Sequence, residues 1–372
     1  MPWIDSADWF SAITGLQEAE WLLCRGESIV PAPDGSGLLV RNLKTGEVSA
    51  AGHFEMLSLE ALQVALSADM APPSPVDFEI HVREDRQSID RVDVAHLQAV
   101  ASPGALFQVA SNFNCAEVAS VYTDVASGVF VTKLAIDSTQ GPAASASAGV
   151  SAITRIHGPF YDPDTPPETW GQTAARQLEL LGHPAVAPHF PVRNGKLWFE
   201  GNEPMRMPSD LFPKIRVGLH CGAVARFGKR RGLKMARPAS PPTIDQVFVA
   251  ALNMYAPQPH AHHLEPKARL LLRAAYEGTY LSAIRQGTET LVLTLVGGGS
   301  FANPMPWIID AIAQAHRRWG GHPASRLQRV ILPLFPINGM VNGVRVGALL
   351  QEGLQQHGVD PRRIRTRRFS AD

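Results

Sequence analysis

Two textures alternate through the C-terminal third of the chain, and that alternation restricts the fold more than any single motif. VFVAALNMY, TLVLTLV and QRVILPLFP are short apolar runs, and between them lie EPKARLLLRAAYEGTYLSAIRQ and PMPWIIDAIAQAHRRW. Runs of the first kind read as buried strands and the longer stretches as helices. Leu271, Ala275, Gly278 and Leu281 share one face of the first helix, and Ile308, Ile312, Ala315 and Trp319 share one face of the second. Strands separated by helices predict an α/β sheet covered on both faces.

Upstream the same logic continues with more punctuation. GALFQVASNFN reads as a strand ending in polar residues, GVFVTKLAI as an alternating strand, DSTQGP as a turn, and AASASAGVSAITR as a small-residue helix with Pro142 in its first turn. A Pro-rich middle from His157 to about Pro242 contains a hairpin signal, FPVRNGKLWFEGN, centred on Asn194-Gly195, and reads as an insertion. In the first ninety or so residues, IVPAPDGSGLLVRNLKTGEVSAAGHF reads as a strand, a turn at Lys44-Thr45-Gly46 and a second strand. LEALQVALSADM reads as a helix, and Ala71-Pro72-Pro73-Ser74-Pro75 as a linker.

Composition removes several function classes. The 34 Lys and Arg balance 34 Asp and Glu, so no global field draws the chain to nucleic acid or anionic lipid. No apolar stretch is long enough to cross a bilayer. Three cysteines at unrelated spacings support neither a disulfide framework nor a metal knuckle, and the acidic N-terminus does not resemble a signal peptide. A reducing, cytoplasmic setting without a metal or other cofactor is expected.

The strand TLVLTLV runs into Gly297, Gly298 and Gly299, followed by Ser300, Phe301, Ala302, Asn303 and Pro304 at the start of a helix. Asn303 and Pro304 read as its N-cap and first residue. A strand, a glycine loop and a helix N-terminus together expose backbone N–H groups to an anion, with phosphate the default. GxxxxGK[ST] is absent because no Lys follows, and the GxGxxG dinucleotide pattern is not met. Two polar clusters, Ser111-Asn112-Phe113-Asn114 and Asp137-Ser138-Thr139-Gln140-Gly141-Pro142, close earlier strands at the edge where open α/β sheets bind ligands. Each Asn is equally a turn former, and Asp137 is equally a helix cap.

This order of elements resembles a macrodomain, an ADP-ribose-binding α/β/α module. Ala110-Ser111-Asn112-Phe113-Asn114 is similar to the family's Asn-containing strand-end turn, and Val247 to Ala251 sit where the family has its mid-domain strand. Gly297 to Pro304 resemble its diphosphate loop. The chain departs in interposing CAEVASVYTDVASGVFVTKLAI and keeping a single Gly141 where the family has a glycine run. The resemblance covers roughly residues 104 to 336. It implies an α/β fold, a three-layer α/β/α mixed sheet spanning 96–372 with an insertion at about 157–242, preceded by an α+β extension over 1–95.

The resemblance also implies binding of ADP-ribose or an ADP-ribosyl derivative and hydrolysis at its distal ribose, or, alternatively, non-catalytic sensing of such a metabolite. Asn114, Asp137 and Gln140 are then the expected catalytic residues. Asn112, Thr139, Gly141, Gly297, Gly298, Gly299, Ser300, Phe301 and Asn303 are the expected ligand contacts, with the diphosphate on the N–H groups of residues 298 to 301. Cys115 reads as a buried small residue rather than a nucleophile. His260, His262 and His263 read as a surface loop rather than a metal site, and the basic clusters at Lys229 to Arg231 and Arg362 to Arg368 as solvated.

Overall fold

The computed structural model describes the chain except residues 1, 65, 67–74, 86, 119–121, 124, 129–138, 160–164, 202–205, 229, 232–233, 256–263, 336–342 and 371–372. The linker at 71–75, the strand GVFVTKLAI, Asp137, Ser138, Lys229 and the three histidines at 260–263 therefore fall largely or wholly outside the described residues.

Among the described residues, ten strands form one mixed sheet. In chain order they are β2 (Ile29–Pro31), β3 (Leu38–Arg41), β4 (Val48–Ser58), β5 (Asp77–Arg83), β6 (Leu106–Ala110), β9 (Arg216–Val224), β12 (Thr243–Val249), β13 (Thr290–Val292), β14 (Arg329–Pro333) and β15 (Ile364–Phe369). The spatial order is β15-β5-β14-β13-β6-β12-β9-β4-β3-β2. From β15 to β12 every neighbour is parallel, and from β12 to β2 every neighbour is antiparallel. A short strand β1 (Trp3–Asp5) pairs with β11 (Lys234–Ala236), which also pairs with β10 (Arg230–Arg231), and β7 (Val192–Arg193) with β8 (Lys196–Leu197) makes the expected hairpin.

Helices cover both faces, as two buried glutamines on neighbouring strands show. Gln246 of β12 donates to the Ala144 carbonyl in a helix at Gln140–Ser147, whereas Gln108 of β6 donates to Thr279 in the long helix Glu265–Gln286. Paired residues of parallel strands share a face, and Val247 pairs with Gln108, so the two glutamines point to opposite sides. The labelled helices are α1 (Trp9–Thr14), α2 (Leu59–Val64), α3 (Val94–Ala99), α4 (Gln140–Ser147), α5 (Gly149–His157), α6 (Glu265–Gln286), α7 (Met305–Ala315) and α8 (Gly343–Gln356). Helices α1, α3, α4 and α5 belong to one side, and α2, α6, α7 and α8 to the other.

The expected faces of the two late helices are the buried ones. Leu271, Ala275 and Leu281 are buried, and a β-carbon on Gly278 would stand 2.5 Å from Val217 of β9. Ile308, Ile312, Ala315 and Trp319 are buried together.

Several expectations change. AASASAGVSAITR is two helices rather than one, because Ala148 leaves helical geometry at φ −94°, ψ 49°. Gly149 then admits the Trp9 indole, whose N–H donates to Ala146 O at 2.9 Å; a β-carbon at Gly149 would meet that ring at 2.5 Å. Asn303 is not the N-cap of α7, a position held by Pro304. Within the span read as an insertion, β9 is a central strand, and within residues 1–95, β4 and β5 are interior strands of the same sheet.

Candidate functional site

A cleft opens at the carboxyl ends of β6, β12, β13 and β14. Its position is the one open parallel sheets use. Strand ends bring Ala110, Ala251, Thr294 and Pro333 to the rim; polar turns add Ser111, Asn112, Glu117, Thr139, Gln140 and Gly141. The glycine loop from Leu295 to Phe301 forms the opposite wall, and Pro142 and Phe335 add apolar surface.

The loop's shape follows from its glycines. Gly297 adopts φ +72°, a left-handed conformation, and a β-carbon there would meet Asn303 Nδ2 at 2.5 Å and Ala251 Cβ at 2.8 Å. Asn303 is buried beneath the loop and donates to Leu252 O at 2.8 Å and Gly297 O at 3.2 Å. It therefore shapes the loop and does not line the cleft. The N–H of Gly298 is spent on Leu295 O at 2.9 Å, which removes it from the expected set of anion donors. Gly297, Gly299, Ser300 and Phe301 have N–H groups with no hydrogen-bond acceptor among the described residues.

Two carboxamides face this loop from the other wall, and each has its orientation set by an obligate donor. Asn112 Oδ1 accepts from Lys196 Nζ at 3.0 Å, and Gln140 Oε1 accepts from the Val94 N–H at 2.7 Å. Neither a lysine ammonium nor a backbone N–H can accept, so the oxygen end of each amide must face its partner. Asn112 Nδ2 and Gln140 Nε2 are buried and without a partner among the described residues. Buried donors left unpaired carry a penalty that a ligand oxygen would remove.

Glu117 is the carboxylate of the cleft among the described residues that line it. A β-carbon on Gly141 would stand 2.8 Å from Glu117 Oε1 and would overlap the Ala110 carbonyl, so only glycine lets α4 begin here. Below the turn lies Arg155, fully buried, donating from Nε to Cys115 O at 2.8 Å and stacked 3.8 Å from the Phe248 ring centre. Burial lowers its pKa to about 10, opposed by electrostatic interaction with Cys115 and Glu117. The Cys115 thiol is itself pushed up to about 12 by burial, which agrees with an inert core residue rather than a nucleophile.

Asn114, expected to be catalytic, does not line the cleft. It is fully buried; Nδ2 donates to Gln177 Oε1 at 2.8 Å and Oδ1 accepts from Ala116 N at 3.2 Å. Both ends of its amide are committed to holding the turn. Asn112, Thr139, Gln140, Gly141, Gly297, Gly298, Gly299, Ser300 and Phe301 are brought together in the cleft, whereas Asn303 stands behind it and Asp137 lies outside the described residues. Sequence reasoning missed Glu117 and Lys196. A lone carboxylate just past an Asn turn at a strand's carboxyl end was the available signal for the first. No group of His, Cys, Asp and Glu able to hold a metal occurs among the described residues.

Neither protein-family models nor curated protein sequences give a match to this chain. Among solved structures it is similar to the poly(ADP-ribose) glycohydrolase of Thermomonospora curvata, at 15% identity over 91% of this chain and 97% of that one, with a TM-score of 0.42. It is also similar to the poly(ADP-ribose) glycohydrolase of Deinococcus radiodurans in complex with ADP-ribose, at 13% identity over 82% and 94% of the two chains, with a TM-score of 0.43. The likeness is remote.

Proposed function

We propose that the cleft binds ADP-ribose or an ADP-ribosyl derivative and that the protein hydrolyses the bond to its distal ribose. One observation carries this reading: among the described residues, the unpaired N–H groups of Gly299, Ser300 and Phe301 share a cleft with two residues whose buried amide NH₂ groups have no partner and with one carboxylate. Consecutive free amides suit a diphosphate, which needs several donors along one edge. Asn112 and Gln140 offer donors only, so they suit ribose oxygens. Phe301 supplies an apolar face against a sugar ring.

Cleavage at an anomeric carbon passes through an oxocarbenium-like state, with the leaving oxygen protonated and water attacking the opposite face. In this reading Glu117 serves as the acid–base group and its anionic form steadies the developing positive charge. Asp137, three residues before Gln140, remains a proposed second carboxylate. A binding-only reading draws support from the cleft's single described carboxylate, since glycoside hydrolysis ordinarily uses a pair.

Calorimetric titration with ADP-ribose tests the binding step. The wild type is expected to bind, and Gly298→Glu, which puts a carboxylate on the loop wall, is expected not to. A folded wild type that ignores ADP-ribose would overturn the proposal. Release of ADP-ribose from an ADP-ribosylated substrate then separates the enzyme from the sensor.

A further inference from the structure

The β7–β8 hairpin carries chemistry that the cleft does not use. Its register sets Arg193 directly opposite Lys196. Lys196 reaches the cleft wall, bonding Asn112 Oδ1 at 3.0 Å and lying 5.6 Å from the Phe301 ring centre. Arg193 turns the other way and stacks over Tyr122 at 5.1 Å, and Tyr122 meets Trp198 edge-on with ring centres 6.3 Å apart. Tyr122 is 69% exposed and Trp198 38% exposed, so two large aromatic faces stand in solvent beside a guanidinium.

The mount is rigid. Gly195 at the hairpin turn accepts from the Phe113 N–H at 2.7 Å, and Gln177 bridges Asn194 to Asn114. This surface is thus held in fixed relation to the cleft turn formed by residues 111–117.

We propose that the Tyr122–Arg193–Trp198 face binds a nucleobase and its adjoining phosphate, and that the partner is a single-stranded nucleic acid carrying the ADP-ribosyl group held in the cleft. The proposal rests on the ADP-ribose reading and names what the ribosyl group is attached to. Exposed aromatics offer a stacking surface to any base, and a neighbouring arginine adds cation–π and phosphate contacts. The phosphate is met locally, since the chain's formal net charge is zero. With one cation, Arg193, engaged, log affinity falls against log salt with a slope of about −0.7, the value for one phosphate on a single strand.

The test is fluorescence anisotropy of a labelled ten-nucleotide single-stranded DNA with the full chain. The wild type is expected to bind with a shallow salt slope. Trp198→Ala and Tyr122→Ala should each weaken binding about tenfold or more, and Arg193→Glu should weaken it further. ADP-ribose titration of Trp198→Ala should match the wild type, which keeps a failure here distinct from a failure of the cleft reading. No oligonucleotide binding, equal binding by all variants, or equal competition by polyglutamate would overturn the proposal.

Discussion

The side-chain amide of Asn114 lies against the α-carbon of Gly195, so that a β-carbon there would come within 2.6 Å of Asn114 Nδ2. Gly195 also holds φ +74°, the left-handed half of a two-residue turn whose first residue, Asn194, has φ 46°. A strand-end turn and a distant hairpin are thereby joined at one point. Gly195→Ala should lose about 1–3 kcal/mol of stability, because the conformation is strained for alanine and its methyl displaces the Asn114 amide. Urea denaturation measures this; an unchanged midpoint would show that the hairpin is not clamped.

Lys196 orients an amide of the cleft. Replacing it with Met removes the donor to Asn112 Oδ1 and leaves that buried oxygen without this partner. Stability should fall by about 1–3 kcal/mol and ADP-ribose affinity about tenfold or more, the worth of a hydrogen bond to a charged group, whereas Lys196→Arg, which keeps a donor, should restore most of the affinity. Paired calorimetry and thermal melts decide it, and unchanged affinity in Lys196→Met would sink the orienting role.

The late part of the chain was legible because its signals are local. Helix α6 occupies the stretch whose periodicity marks it, and the glycine loop lies at the cleft as its position after a strand predicts. The place of Asn114 outside the cleft lining was not legible because what defines it, Gln177 and Gly195, lies 63 and 81 residues further along and leaves no trace near it in sequence. Asn303 looked like a cap because an Asn-Pro pair before a helix has that form, yet its amide reaches across to Leu252. The central place of β9 was hidden by its Pro-rich surroundings, since strand order is set by pairings distant in sequence.

His316 gives the fold an acid-side slope. It is fully buried, accepts or donates through Nδ1 with the Tyr280 hydroxyl at 2.9 Å, and burial lowers its pKa to about 4 from an ordinary 6.5. Since the folded-state value is depressed, the neutral ring's contribution is present above the unfolded pKa and is lost as pH falls toward the folded one. The loss approaches about 3 kcal/mol near pH 4, at 1.36 kcal/mol per pH unit. Buried His220 is shifted in the same direction, also by desolvation first and by Arg155 second. Subtracting the urea-stability profile of His316→Gln from that of the wild type should leave a slope confined between about pH 6.5 and 4. A flat difference would mean that His316 is hydrated.

Glu117 decides between catalysis and sensing. Its carboxylate stands by Gly141 in the cleft, and Glu117→Gln preserves its size, so the loop around Gly141 need not move. A general acid–base group contributes about 10²–10⁴ in rate, and turnover should fall by that factor while ADP-ribose affinity stays within a few-fold. Loss of turnover with retained binding assigns the proton transfer to Glu117. Unchanged turnover would remove Glu117 from the chemistry and direct the same substitution logic to Asp137→Asn. A wild type that binds but never releases ADP-ribose would settle the case for the sensor.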